Sequence, residues 1–486
     1  MYLKNLGKPS PPLHMNSYAW VLLILLALAA PALVSPALAQ RGSGRGAGEP
    51  LGQQGDALFP SLDLLQRQGE AAGWLLHGQA TFVEQGHPSF RSPYVGANSM
   101  QPKAMQRNTF SADLILGRRL WEGAEVIFNP QVIRGFGLSG TRGASAFPNG
   151  EAFRVGSETP AGFIPRAFIR QTIGLSADMV EQERDPLRFA GNVARERITI
   201  TAGKFAVFDI FDDNRYAHDP RSQFLNWAFV SAGAFDWTND AKGFTNGLAV
   251  EWEDGSWGVR AGALQVARRI NSLSLDPQPA RGHQLILQLD RFWQLGGRDG
   301  AVRLIGGYSR TRSSSYDGLI AGDIEATMIQ PQGRYASKRM AVLNLEQEIA
   351  EHVGVFARLS WNDGRTQQWM YSEMDRAASA GLVLDGALWG RGAESLHSAG
   401  DTLGLAANLA ALSAPHHRFI EAGGTGFLIG EGRLRYRPEL AVESYYDRHI
   451  SHGLHAALNV QLIANPAYNA DRGPILLLGL RLRSAF

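Results

Sequence analysis

Hydrophobic and polar residues alternate with a period of two along most of the chain beyond residue 72. In residues 247–254, Leu248, Val250 and Trp252 alternate with Ala249, Glu251 and Glu253. After Asp254-Gly255, Trp257, Val259, Ala261 and Ala263 alternate with Gly258, Arg260 and Gly262. Successive side chains of a strand point to opposite faces, so this alternation predicts strands with one apolar and one polar face. Asp-Gly between two such runs predicts a hairpin closed by a type I′ turn. Leu285, Leu287 and Leu289 oppose Gln284, Gln288 and Asp290. Val353, Val355, Ala357, Leu359 and Trp361 oppose Gly354, Phe356, Arg358 and Ser360, and Leu454 to Leu462 repeats the pattern. Similar runs fall near 74–83, 109–117, 124–132, 164–173, 197–205, 301–308, 340–348, 381–388, 402–409, 433–436 with 441–445, and 474–486. The total is about sixteen strands.

The chemistry of the two faces decides the environment. The polar faces carry charges in mid-strand, at Arg260, Asp290, Arg303 and Arg358, where a small packed barrel requires apolar side chains. Trp74, Trp121, Trp252, Trp257, Trp293, Tyr308, Trp361 and Trp389 lie near strand ends, as an aromatic girdle at the membrane interfaces requires. The predicted fold class is all-β: a transmembrane antiparallel β-barrel with lipid outside, water inside, short turns at one end and long loops at the other. In the last run Leu476, Leu478, Leu480, Leu482 and Phe486 share one parity and Arg481 and Arg483 the other. An amphipathic last strand ending in Phe is the signal by which outer-membrane barrels engage their assembly machinery, so Phe486 is expected to face lipid and to serve insertion.

Ahead of the barrel, Lys4 and Lys8 precede an apolar run from Val21 to Ala30, and Ala37-Leu38-Ala39 places small residues before Gln40. A basic segment, an apolar stretch of about ten residues and an A-x-A site predict a cleaved signal peptide over 1–39. Residues 40–72 read as an N-terminal tail and short lead-in, and 73–486 as the barrel domain. The expected location is the bacterial outer membrane.

Composition narrows the function. The 486 residues include no cysteine, which removes disulfides, thiol catalysis and cysteine metal sites. With 47 Lys+Arg against 45 Asp+Glu, the net charge of +2 lacks the basic excess of a nucleic-acid binder. The 55 glycines suit a many-stranded sheet with many turns. No nucleophile elbow, zinc-protease motif or P-loop occurs, so no catalytic residue, metal or cofactor is expected.

Several segments resemble the bacterial carbohydrate-selective porin family. They are Gly203-Lys-Phe through Trp227-Ala, Gly233-Ala-Phe-Asp-Trp237, Trp361-Asn-Asp-Gly-Arg365, Glu373-Met-Asp-Arg376, Gly423 to Gly430, and Ile463 to Pro474. The resemblance covers most of 71–486. It implies a water-filled barrel passing glucose-like monosaccharides and other small sugars, with sugar solutes, outer-membrane lipid and, through Phe486, the assembly machinery as its partners; whether the unit is a monomer or a trimer stays open.

A sugar pore must replace the solute's water hydrogen bonds with wall hydrogen bonds yet let go again. In 164–173, Arg166, Phe168, Arg170 and Thr172 share the face opposite Ala167, Ile169 and Ile173. Arg166 and Arg170, with Glu151 and Arg154 from the preceding loop, are candidates for the channel lining, and Trp227 is the candidate stacking platform. His218-Asp219-Pro220-Arg221 reads as a loop fold-back more than a lining element. Asp209, Asp212 and Asp213 read as solvated turn acids, lacking the spacing of a calcium loop, and His416-His417 as a surface pair on a turn. Two other readings stay open: a general or anion-favouring porin, given the inward arginines, and a plugged structural or adhesion barrel.

Overall fold

The computed structural model describes residues 60–152, 157–237, 239–322, 334–392, 400–451 and 453–486. A helix α1 (Pro60–Ala71) leads into strands β1 (Trp74–His87), β2 (Met105–Trp121), β3 (Ala124–Gly135) and β4 (Ala161–Gly174). Two short strands follow, β5 (Met179–Gln182) and β6 (Gly191–Ala194), then β7 (Arg197–Ala206), helix α2 (Trp227–Val230), β8 (Phe244–Glu253), β9 (Trp257–Gln265) and β10 (His283–Leu295). The chain continues through β11 (Arg298–Thr311), helix α3 (Tyr316–Ala321), β12 (Ala336–Ala350), β13 (Val353–Asn362), β14 (Arg376–Asp385) and β15 (Thr402–Ala411). Helix α4 (Ala414–Glu421), β16 (Glu439–Ser451), β17 (Leu454–Ala464) and β18 (Ile475–Ala485) complete it. Among the described residues sixteen strands close a barrel of antiparallel neighbours; β1 pairs with both β2 and β18, and β4 with β7. Strands β5 and β6 pair only with each other.

The period-two pattern settles which face meets which medium. Leu287 and Leu458 stand 59% and 63% exposed on the outer wall, while Asp290 and Arg358 are 0% and 2% exposed inside. Exposed Trp74, Trp121 and Trp257 mark the short-turn end, and exposed Trp361 the long-loop end. Closure joins Gly78 to the chain end: Gly78 N–H donates to the Phe486 carbonyl (3.1 Å) and Phe486 N–H to that of Gly78 (3.0 Å). A Cβ on Gly78 would lie 2.1 Å from the Phe486 ring, so that ring covers the outer face of the glycine.

Three local expectations need correction. In the Asp254-Gly255 turn only Gly255 has a positive φ, 86°, so the turn is not type I′. Instead Asp254 Oδ1 accepts from the N–H groups of Ser256 (2.8 Å) and Trp257 (2.7 Å), a side-chain-closed turn. The 381–388 run is shifted: β14 ends at Asp385, whose carboxylate accepts from Ala387 N–H (2.7 Å) and starts a 3-10 turn over Gly386–Trp389. Residues 433–436 lie outside β16, separated from it by Pro438, which donates no hydrogen bond to a ladder.

Candidate functional site

The segment between β7 and β8, residues 207–243, folds into the barrel and fills much of its lumen. Its anchors come from wall strands well separated from β7 and β8 around the barrel. Arg358 of β13 donates to the carbonyls of Phe229 (2.7 Å) and Ala217 (2.7 Å), and its Nε lies 3.3 Å from Asp212. Glu443 of β16 accepts the N–H groups of Leu225 (2.5 Å) and Asn226 (2.9 Å). Arg481 of β18 donates to the carbonyls of Pro220 (2.9 Å) and Gln223 (2.6 Å). Near the loop's own strands Phe208, Trp227, Trp237 and Tyr371 pack ring against ring, with Trp227 and Tyr371 4.6 Å apart. Apolar packing and satisfied backbone groups together hold the loop in one place.

Between this loop and the β1–β4 wall lies a cavity of about 600 Å³. Its acids are Asp113, Glu151, Asp185, Asp209, Asp213 and Asp219; its bases are Arg166, Arg170, Arg188, Arg221, Lys242 and Arg260. Six of each sign leave no net charge from these groups. Arg166 grips Asp209 through two parallel bonds, Nε to Oδ2 (2.7 Å) and Nη2 to Oδ1 (2.6 Å). Arg221 donates to Asp113 and, at 2.8 Å, to Glu151, which also accepts from Ser111. Arg170 donates to Glu125 (2.5 Å), and Arg260 lies 3.0 Å from Asp290. Burial alone would raise the Asp219 carboxyl, but Arg221 and its N–H hold it below the ordinary value. Asp213 is exposed to the lumen, and the desolvation it feels from the surrounding protein is outweighed by His218, Arg303 and Arg260, leaving a value of about 2. A wider cavity of about 1180 Å³ at the short-turn end shares Asp185, Asp213, His218 and Asp219 with the first.

Of the residues singled out in the sequence, Glu151, Arg166, Arg170 and Trp227 line the same cavity. Arg154 lies outside the described residues. His218-Asp219-Pro220-Arg221 both lines the cavity and ties the loop, because Arg221 bridges to the wall while Asp219 accepts Arg221 N–H (2.9 Å). The reading of Asp209, Asp212 and Asp213 as solvated turn acids is corrected for Asp209 and Asp212, while Asp213 stands exposed to the cavity. Asp212 is wholly buried and accepts from Asn344 (2.7 Å) and Ala232 N–H (2.6 Å), and Asp209 is consumed by Arg166. The histidine pair is also corrected. It sits on α4, with His416 fully buried, 2.9 Å from Asp375 and stacked on Tyr316. Asp113, Asp185 and Arg188 were missed as lining residues. Asp113 carried the same signal as Arg260, a charge in mid-strand beside inward Ser111 and Ile115.

The sequence profile of the OprB family, described as carbohydrate-selective porin, matches residues 97–486. No curated protein sequence matches the chain. The high-pH structure of Pseudomonas putida OprB is similar in fold, with a TM-score of 0.65 at 16% identity over 88% of this chain and 97% of that one. Its low-pH structure gives 0.48 at 14% identity over the same shares. The outer-membrane channel DcaP of Acinetobacter baumannii gives 0.45 at 9%, over 85% of this chain and 98% of that one. A polar, charge-lined lumen inside a lipid-facing barrel and a profile spanning most of the sequence converge on one assignment: the chain belongs to the OprB family of carbohydrate-selective outer-membrane porins.

Proposed function

We propose that monosaccharide-sized sugars cross this barrel through the gap between loop 207–243 and the β1–β4 wall, and that Glu151, Arg166, Arg170 and Trp227 contact them there, with Arg154 from the same loop as Glu151. The observation that carries this reading is the balanced set of six acids and six bases around one cavity that also exposes part of Trp227. Hydroxyl groups both donate and accept, so a wall offering arginine N–H groups beside carboxylates can replace the water a sugar sheds. An aromatic face suits the C–H face of a pyranose. A lining with no net charge gives ions of either sign no strong preference, which speaks against the anion-favouring alternative.

We further propose that export uses cleavage after Ala39 and that Phe486 serves recognition by the assembly machinery. N-terminal sequencing of the membrane-extracted protein checks the first: Gln40 is expected, and an intact Met1 overturns it. For the channel itself, purified protein in liposomes is expected to admit glucose-sized sugars and in planar bilayers to give channels whose current those sugars reduce. Absence of any conductance would favour the plugged barrel. Trp227→Ala is expected to weaken the sugar's block of the current several-fold while channels still open.

A further inference from the structure

The lumen is narrowed from the short-turn end as well. The turn joining β5 to β6 enters the barrel, and Asp185, Pro186, Leu187 and Arg188 line the same cavity as Arg166 and Trp227. Asp185 also lines the wider cavity beyond, together with Asp213, His218 and Asp219 of the loop. Loop and hairpin thus meet where the two cavities join. Phe189 behind the tip is buried in a cluster with the inward wall residues Leu75 and Ile115. Backbone groups of the tip and of Ala190 just beyond it are gripped from three sides. Arg170 donates to the Leu187 carbonyl (2.9 Å), Arg119 to the Ala190 carbonyl (2.7 Å), and Ala190 N–H to Glu70 of α1 (3.2 Å). At the hairpin base Arg195 pairs with Asp178 at 2.5 Å. With its backbone bonded to the wall and to α1, the tip is a fixed part of the bore and not a swinging lid. Behind it lies a side cavity of about 290 Å³, which shares Arg170 and Arg188 with the main one.

We propose that the hairpin tip, Asp185–Arg188, is the exit half of the constriction and sets the largest sugar that passes. The proposal rests on the reading of this cavity as the sugar path. Without the tip, the main cavity and the side cavity behind it merge, and the passage widens on the side facing β2–β4. Asp185 and Arg188, paired at 3.5 Å, bring one acceptor and one donor to the exit, so the tip can hand a hydroxylated solute onward as well as limit its girth.

The test compares liposome swelling in glucose, a disaccharide and a trisaccharide for the full chain, for a variant with Asp185–Arg188 replaced by two glycines, and for Leu187→Ala, which keeps the backbone bond to Arg170. The readout is the ratio of disaccharide to monosaccharide rate, taken on protein that migrates as a folded barrel on unheated gels. The glycine variant is expected to raise the ratio several-fold and Leu187→Ala to raise it less. Should the glycine variant not fold, Leu187→Ala decides. An unchanged ratio in the folded variants overturns the proposal. A parent channel that admits no sugar overturns instead the reading on which it rests.

Discussion

Arg166 and Asp209 meet in a paired fork, and Arg170 holds Glu125 on one side and the hairpin backbone on the other. Removing both arginines leaves Asp209 and Glu125 without their cations beside the passage. Arg166→Ala with Arg170→Ala is therefore expected to widen the pore, move its ion preference toward cations and weaken sugar block. A salt-gradient reversal potential and a glucose titration of the current check this, and unchanged values place the arginines away from the constriction. One position along the strand the outcome differs. Ile169 is 38% exposed on the outer wall, and an arginine facing the bilayer midplane costs about 2–4 kcal/mol. Ile169→Arg is expected to lower the yield of folded barrel in outer membranes. At this scale the sequence displayed parity but not partnership. It put Arg166 and Arg170 inside and Ile169 outside. That Asp209 pairs with Arg166, that Asp212 reaches β12 and β13, and that His416 is buried against Asp375 depend on contacts between residues far apart in the chain.

Among the elements, barrel strands were legible because each one separately divides lipid from water, so every strand carries its own alternation. Sixteen runs in the sequence correspond to the sixteen barrel strands, with the boundary shifts described at β14 and β16. The β5–β6 hairpin was not legible. Its strands are four residues each and lie outside the barrel sheet, so no such alternation marks them. The long loop was recognisable by its motif, but its path across the lumen was not, since its anchors are scattered over β12, β13, β16 and β18. The last strand yields a prediction of its own. Gly78 leaves room for the Phe486 ring, and any Cβ there meets it at 2.1 Å. Gly78→Leu is expected to displace the ring and reduce assembled barrel, as replacing Phe486 by a charged residue would, while channels that do insert keep their sugar preference. Heat-modifiable gel mobility and outer-membrane abundance measure the first part, and bilayer recordings the second. Normal assembly with altered sugar preference would count against a role in insertion.

As a whole molecule the protein is a barrel whose bore is set by contacts spread around its wall. Loop 207–243 borders the passage along β1–β4, yet Arg358, Glu443 and Arg481 fasten it to β13, β16 and β18. Pore width is then a property of the complete cylinder as well as of the residues that touch solute. Arg358 is the sharpest probe, because it is 2% exposed, faces wholly buried Asp212 and supports three loop carbonyls. Removing one partner of a buried ion pair costs about 3–5 kcal/mol, because the other charge stays behind unpaired. Part of that cost is relieved if the loop shifts to rehydrate Asp212. Arg358→Ala is thus expected to give a larger, noisier conductance and a relaxed size limit for sugars, although Arg358 does not line the cavity. Arg418→Ala is the matched comparison. Its partner Asp317 and Arg418 itself are 65% and 53% exposed at the loop end, where an ion pair contributes at most about 1 kcal/mol. That variant is expected to conduct as the parent does. If Arg358→Ala also keeps parental conductance, noise and size limit, the Arg358 bonds do not set the bore and the loop is held in place by its other anchors and its apolar packing.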